Sequence, residues 1–214
     1  MRLSIENRYT QLLLILISIF GIIGLLSEDI GLFILSILIL SAIVILVRTL
    51  ALRKRTFYLY IALACVAFIA DLIYLTINSR HLHSPLAVVA DLIYVGFFIT
   101  SISLITHEIF HERRVTVDTV AGGICLYLLL GNLWFLFYDN LHLVQSHAFR
   151  GPSDTISSFD LFYFSFTTLT TVGYGDIIPV SQLARVIANL EAIVGVLFPA
   201  VFIARLVSMY EAQS

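Results

Sequence analysis

The chain has 214 residues, 60% hydrophobic and only 12% charged, with a formal net charge of −2. Soluble domains carry about 25% charged residues, so a water-soluble globular protein is excluded and no stretch remains for a separate soluble domain. The small net charge says little by itself, and no nucleic-acid partner is expected.

Six Leu/Ile/Val/Phe-rich runs reach or approach the roughly 20 residues needed to cross a bilayer. The first, at 9–26, follows Arg2 and Arg8 in the manner of a signal peptide. It is long for a signal peptide's apolar region, and Ser27-Glu28-Asp29 offers no small-residue cleavage site. It is read as an uncleaved first helix. Glu28-Asp29-Ile30-Gly31 makes a tight turn into a second helix at 30–52, which ends in Arg48 and the cluster Arg53-Lys54-Arg55. A third helix at 57–77 leads to a polar loop, 78–85, that contains His81 and His83. A fourth helix at 86–106 is followed by a charged connector, 107–114. The fifth helix is expected at 117–138, a polar loop with Gly151-Pro152 at 139–157, a short helix at 158–169 and a sixth long helix at 181–210. Thirty residues at 1.5 Å each span about 45 Å, so the last helix tilts or runs past the membrane. Cys65 and Cys125 both lie inside apolar runs, which argues against a disulfide framework.

Charge orients the helices. With the N-terminus cytoplasmic, the inner side holds Arg2, Arg8, Arg48, Arg53, Lys54, Arg55, Arg113, Arg114 and Arg205, and the outer side Arg80, Arg150 and Arg185. The excess of basic residues places both termini on the cytoplasmic side of the cell membrane.

Between the short helix and the last one stands Thr170-Thr171-Val172-Gly173-Tyr174-Gly175-Asp176. A bare cation is costly in hydrocarbon unless oxygens replace its hydration. Gly173 and Gly175 can visit φ > 0 and let successive carbonyls turn the same way. Thr171 adds a hydroxyl at the inner end, while Val172 and Tyr174 brace the strand from behind. The segment resembles the selectivity filter of potassium channels, and Thr167-Thr168-Leu169 before it fits that family too.

The resemblance implies an all-α membrane protein. It has six transmembrane helices, a re-entrant pore helix and a filter loop, in a voltage-gated-like layout of the small bacterial type. Residues 1–116 form a four-helix membrane domain with its connector, and 117–214 a two-helix pore domain. Four filter strands are needed to surround an ion, so a homotetramer in the bilayer is implied. It conducts K+ passively at Thr171, Val172, Gly173, Tyr174 and Gly175, with no organic cofactor and no enzymatic activity. Tyr163 and Phe164 are expected as a cuff around the filter, with Thr167 and Thr170 as further support, and Asp176 as its tie to the pore helix. The C-terminus of the short helix points its partial negative charge at the cavity. Gly195 is a hinge candidate, and Pro199 should kink the last helix one turn later. With the sequence ending at Ser214, no cytoplasmic nucleotide- or calcium-binding ring is expected.

Glu191 is the odd residue of the last helix, since a mid-membrane carboxyl is costly. Either it faces the pore helix and hydrogen-bonds near Thr167 or Thr168, or it faces the cavity and attracts cations. The front half lacks the basic ladder of a voltage sensor: no Arg or Lys lies between 86 and 106. Weak or absent voltage dependence follows. Asp71 and Asp91 recur in a short repeat, Ala-Asp-Leu-Ile-Tyr, as a bonded polar pair or as a proton- or cation-sharing pair. His81 and His83 above them are solvated loop residues or a proton- or metal-sensing patch.

One motif points elsewhere. His107-Glu108-Ile109-Phe110-His111 matches H-E-x-x-H, which on a helix sets two histidines on one face for zinc, with the glutamate as base. A membrane-embedded metalloprotease is the rival function. No downstream third ligand stands out, and the motif sits at the cytoplasmic end of the fourth helix. An amphipathic connector along the membrane surface is the plainer reading, with a regulatory metal or proton site at His107 and His111 as the other.

Overall fold

The computed structural model describes residues 8–23, 85–112, 114–153 and 155–211, together with positions 62, 65, 66 and 69. Among them run five helices: α1 (Arg8–Ile23), α2 (Pro85–His111), α3 (Val117–Val144), α4 (Ser158–Leu169) and α5 (Gln182–Glu211). Two short strands, β1 (Phe149–Arg150) and β2 (Ile178–Pro179), pair antiparallel. The expected second helix and most of the third, the Arg53-Lys54-Arg55 cluster, Asp71, His81 and His83 lie outside the described residues, as does the Asp91 side chain.

The chain divides into two compact units, Met1–His111 with Thr116–Leu126, and Glu112–Val115 with Tyr127–Ser214. The division falls inside α3, ten residues later than a boundary drawn at the start of that helix.

In the first unit, α1 buries Tyr9, Leu12 and Leu16, one face at helical spacing. Asp118 fastens its start: Oδ1 accepts from the backbone N–H groups of Tyr9 and Thr10, at 3.0 and 3.3 Å. These N–H groups belong to the first turn, which has no partner within its own helix. In α2, Tyr94, Phe98, Ser101, Ile105 and Ile109 form a buried stripe. That stripe carries the helix past 106 to His111, so residues 107–111 continue α2 and do not form a separate connector. A new helix then begins at Thr116, whose hydroxyl accepts from the N–H of Thr119 at 3.1 Å, the role of an N-cap.

In the second unit, α3 runs six residues beyond the expected 138. Asp139, Asn140 and His142 look like loop residues in the sequence, but Leu141 stays buried and the Asn140 amide donates back to the Leu136 carbonyl at 2.9 Å. The loop that follows is shorter in consequence. It is clipped to the segment after Asp176 by β1 and β2 and by the Ala148 carbonyl, which accepts from Val180 N and Ser181 N at 2.8 and 3.2 Å. Ser181 Oγ accepts from Ala184 N and caps α5. Helix α5 buries Ala184, Ala188, Glu191 and Gly195 at spacings of four, three and four, a stripe of mostly small side chains that lets α4 pack close. Three helices among the described residues, α2, α3 and α5, are long and apolar enough to cross a membrane.

Candidate functional site

Helix α4 is built to a fixed length. Ser157 Oγ accepts from Asp160 N at 3.2 Å while the Asp160 carboxylate accepts from Ser157 N at 2.8 Å, a reciprocal cap that starts the helix. Its buried face presents Leu161, Phe162, Phe164, Ser165 and Leu169. Phe164 packs edge-on against Tyr138 and Phe149, with ring centroids 5.0 and 5.5 Å apart. It therefore packs between α3 and the strand pair. Tyr163 is the ring that stacks on Tyr174, at 6.3 Å and nearly parallel.

The last four carbonyls of a helix have no partner inside it, and here each one finds a donor. Thr170 N and the Thr170 hydroxyl donate to Phe166 O, at 3.1 and 2.6 Å. Gly173 N donates to Thr167 O at 3.1 Å, and Thr171 N to Thr168 O at 2.9 Å. The Tyr127 hydroxyl of α3 donates to Leu169 O at 3.1 Å. The segment after α4 thus folds straight back onto the end of that helix.

Along this segment the backbone alternates. Thr171, Gly173 and Gly175 have φ of 60°, 51° and 79°, while Val172 and Tyr174 between them stay at negative φ. Alternation in the sign of φ allows successive peptides to turn the same way, with carbonyls toward one side. The glycines were legible as positive-φ positions; Thr171 was not, because a β-branched residue is rarely found there. Val172 and Tyr174 are 52% and 71% exposed, and a Cβ on Gly173 or Gly175 would meet nothing within 4 Å. Beyond them, Asp176 Oδ1 accepts from Ile177 N at 3.1 Å, and its carboxylate comes within reach of the Tyr163 hydroxyl.

Glu191 is fully buried. Its Oε1 lies 2.7 Å from Ser165 Oγ of α4, and its Oε2 accepts from the Tyr138 hydroxyl of α3. The α4 partner is Ser165, not Thr167 or Thr168; the Thr167 hydroxyl turns back to Phe164 O at 3.0 Å. Ser165, Tyr138 and Tyr127 were not singled out in the sequence. The available signal was a hydroxyl in an otherwise apolar or aromatic run. Gly195 lies so close to the end of α4 that an added Cβ would sit 1.9 Å from Leu169 O. Pro199, inside α5, removes the N–H that helix geometry would supply to the Gly195 carbonyl.

A family model described as an ion channel matches residues 117–212. Protein LctB of Bacillus caldotenax is 34% identical over 112 residues, which cover 49% of this chain and 82% of that protein. The chain belongs to this ion-channel family. The chain is also 34% identical over 79 residues to two pore potassium channel b of Oryza sativa subsp. japonica, covering 37% of this chain and 20% of that one. It is 40% identical over 72 residues to the inward rectifier potassium channel Kirbac3.1 of Paramagnetospirillum magnetotacticum, covering 34% of this chain and 23% of the relative. It therefore spans less than a quarter of the length of either potassium channel. No solved structure matches the chain.

The H-E-x-x-H motif of this chain has other engagements. Glu108 accepts from the Tyr9 hydroxyl at 2.7 Å. The His107 and His111 rings stack at 4.0 Å, 22° from parallel, and His111 Nδ1 lies 2.8 Å from the His107 carbonyl. Stacked rings do not converge on one point in their own planes, where a metal would bind. Among the described residues no group of three His, Cys, Asp or Glu could hold a metal ion.

Proposed function

We propose that the chain is a potassium-selective channel of the small bacterial six-helix type. It conducts K+ passively through a homotetrameric pore in the cell membrane, with weak or no voltage dependence and both termini cytoplasmic. The observation that carries this reading is the alternation of φ at Thr171, Gly173 and Gly175, immediately after a capped short helix. A strand whose carbonyls share one side offers a dehydrated cation a column of oxygens. The carbonyls of Thr171, Val172, Gly173 and Tyr174 form the ion sites, and Gly175 lets the strand turn away at its outer end. Tyr163, Thr167, Thr170, Asp176 and Glu191 hold the strand from behind, and Gly195 with Pro199 forms the gating hinge.

Assembly follows from exposure. Irregular backbone at membrane depth is tolerated only when protein or a water-filled cavity covers it. In one protomer this strand is uncovered on the side of its glycines and at Val172 and Tyr174. Three further copies around one axis cover both.

Purified protein in potassium-loaded vesicles tests the reading. Efflux should be fast for K+ and Rb+ and slow for Na+, and native mass spectrometry should give four chains. Sodium passing as readily as potassium, or a particle without fourfold stoichiometry, would overturn it.

A further inference from the structure

Ser165 Oγ lies 2.8 Å from the Gly131 carbonyl oxygen on α3 and 2.7 Å from Glu191 Oε1 on α5. A hydroxyl carries one hydrogen. If Glu191 were ionised, two acceptors would compete for that hydrogen, and the loser would face the Ser165 oxygen with no hydrogen between them. If Glu191 carries a proton on Oε1, both contacts close: Glu191 donates to Ser165 Oγ, and Ser165 donates to Gly131 O. Oε2 is already served, because the Tyr138 hydroxyl donates to it. The surroundings agree with this count. Glu191, Ser165 and Tyr138 are all fully buried, and no Lys or Arg pairs with Glu191 among the described residues. A buried carboxylate without a cation is expensive in apolar surroundings, whereas a neutral acid with both oxygens hydrogen-bonded is not.

We infer that Glu191 is a neutral acid whose proton completes a hydrogen-bond chain from α5 through Ser165 of α4 to the Gly131 carbonyl of α3, so that it positions the filter's supporting helix and does not attract cations. The inference rests on the potassium-channel reading for its functional consequence. Ser165 stands five residues before Thr170 on α4. With Tyr127 holding Leu169 O one turn further on, the chain fixes the rotation of α4 from which the filter strand departs. Glu191 touches no permeant ion; it acts through Ser165.

Two substitutions separate a neutral linker from a charge. Glutamine keeps the shape and both hydrogen-bonding senses, its amide donating to Ser165 and its carbonyl accepting from Tyr138. Alanine keeps neither. Reconstituted Glu191→Gln should therefore retain the wild-type potassium-over-sodium flux ratio, while Glu191→Ala should lower it, because the Tyr138 hydroxyl loses its acceptor and α4 its link to α5. The infrared spectrum of wild type minus Glu191→Gln should contain a protonated-carboxyl stretch, which needs no flux and remains readable if the alanine variant does not assemble. Loss of selectivity in Glu191→Gln equal to that in Glu191→Ala, or a difference spectrum with only carboxylate bands, would overturn the inference. Wild-type vesicles that admit sodium freely would instead overturn the channel reading, leaving the infrared result to judge the proton.

Discussion

Thr171 holds a φ of 60°, which β-branched side chains rarely adopt. A left-handed conformation costs a non-glycine residue roughly 1–2 kcal/mol, and such strain persists only where the surroundings impose it. Here they do: Thr171 N bonds to Thr168 O, and Gly173 N to Thr167 O. Thr171→Gly should relieve that strain, against roughly 0.5–1 kcal/mol for the greater freedom of glycine in the unfolded chain. Thermal unfolding in detergent should show a net gain of about 1 kcal/mol or less, while vesicle flux shows weaker potassium selectivity because the inner hydroxyl is gone. Gly195 makes the opposite case. An alanine Cβ there would lie 1.9 Å from a backbone oxygen, Leu169 O, which cannot swing aside. At Gly131 the clash is with the Phe166 ring at 2.4 Å, a side chain that can move. Overpacking costs about 1–3 kcal/mol. Gly195→Ala should fall at or beyond the top of that range and Gly131→Ala near the bottom, both read as loss of thermal stability. The sequence marks Gly195 as a hinge candidate through the resemblance of the last helix to a channel's inner helix. The Leu169 carbonyl that demands a glycine there belongs to another element, and nothing in the local pattern reveals it.

At the scale of elements, α4 lies at 158–169, where the Thr170–Asp176 motif and the polar loop before it place it, because both of its ends are held by hydrogen bonds from the flanking segments. Its start is held by the Ser157–Asp160 reciprocal cap. Ser157→Ala should cost about 1 kcal/mol, seen as a lower unfolding midpoint with the potassium-over-sodium ratio unchanged, since the cap lies at the far end from the filter. The ends of α2 and α3 were harder to read. Polar residues at 107–111 and 139–144 look like connectors, yet Ile109 and Leu141 remain buried and the helix follows them. Tertiary burial outweighs local polarity in both places. The β1–β2 pair was not legible either: it joins two-residue segments 29 positions apart, Phe149 with Pro179 and Arg150 with Ile178, too short for any periodicity to show.

For the whole molecule, the membrane field acts only on charges that move through it. One elementary charge crossing the membrane is worth about 2.3 kcal/mol per 100 mV, which changes an open-to-closed ratio roughly fiftyfold. Steep gating needs several such charges on a moving helix. Helix α2 has no Lys or Arg from Pro85 to His111. Its buried stripe is made of Tyr94, Phe98, Ser101, Ile105 and Ile109, which pack in place and offer the field nothing to pull. Conductance in symmetric potassium should therefore change less than about tenfold between −100 and +100 mV, short of what even one transferred charge would produce. Planar-bilayer recording at stepped potentials checks this. A steep sigmoid would assign the sensing charge to the basic residues of the front half, Arg48 and Arg53-Lys54-Arg55, and neutralising that cluster should then flatten the curve.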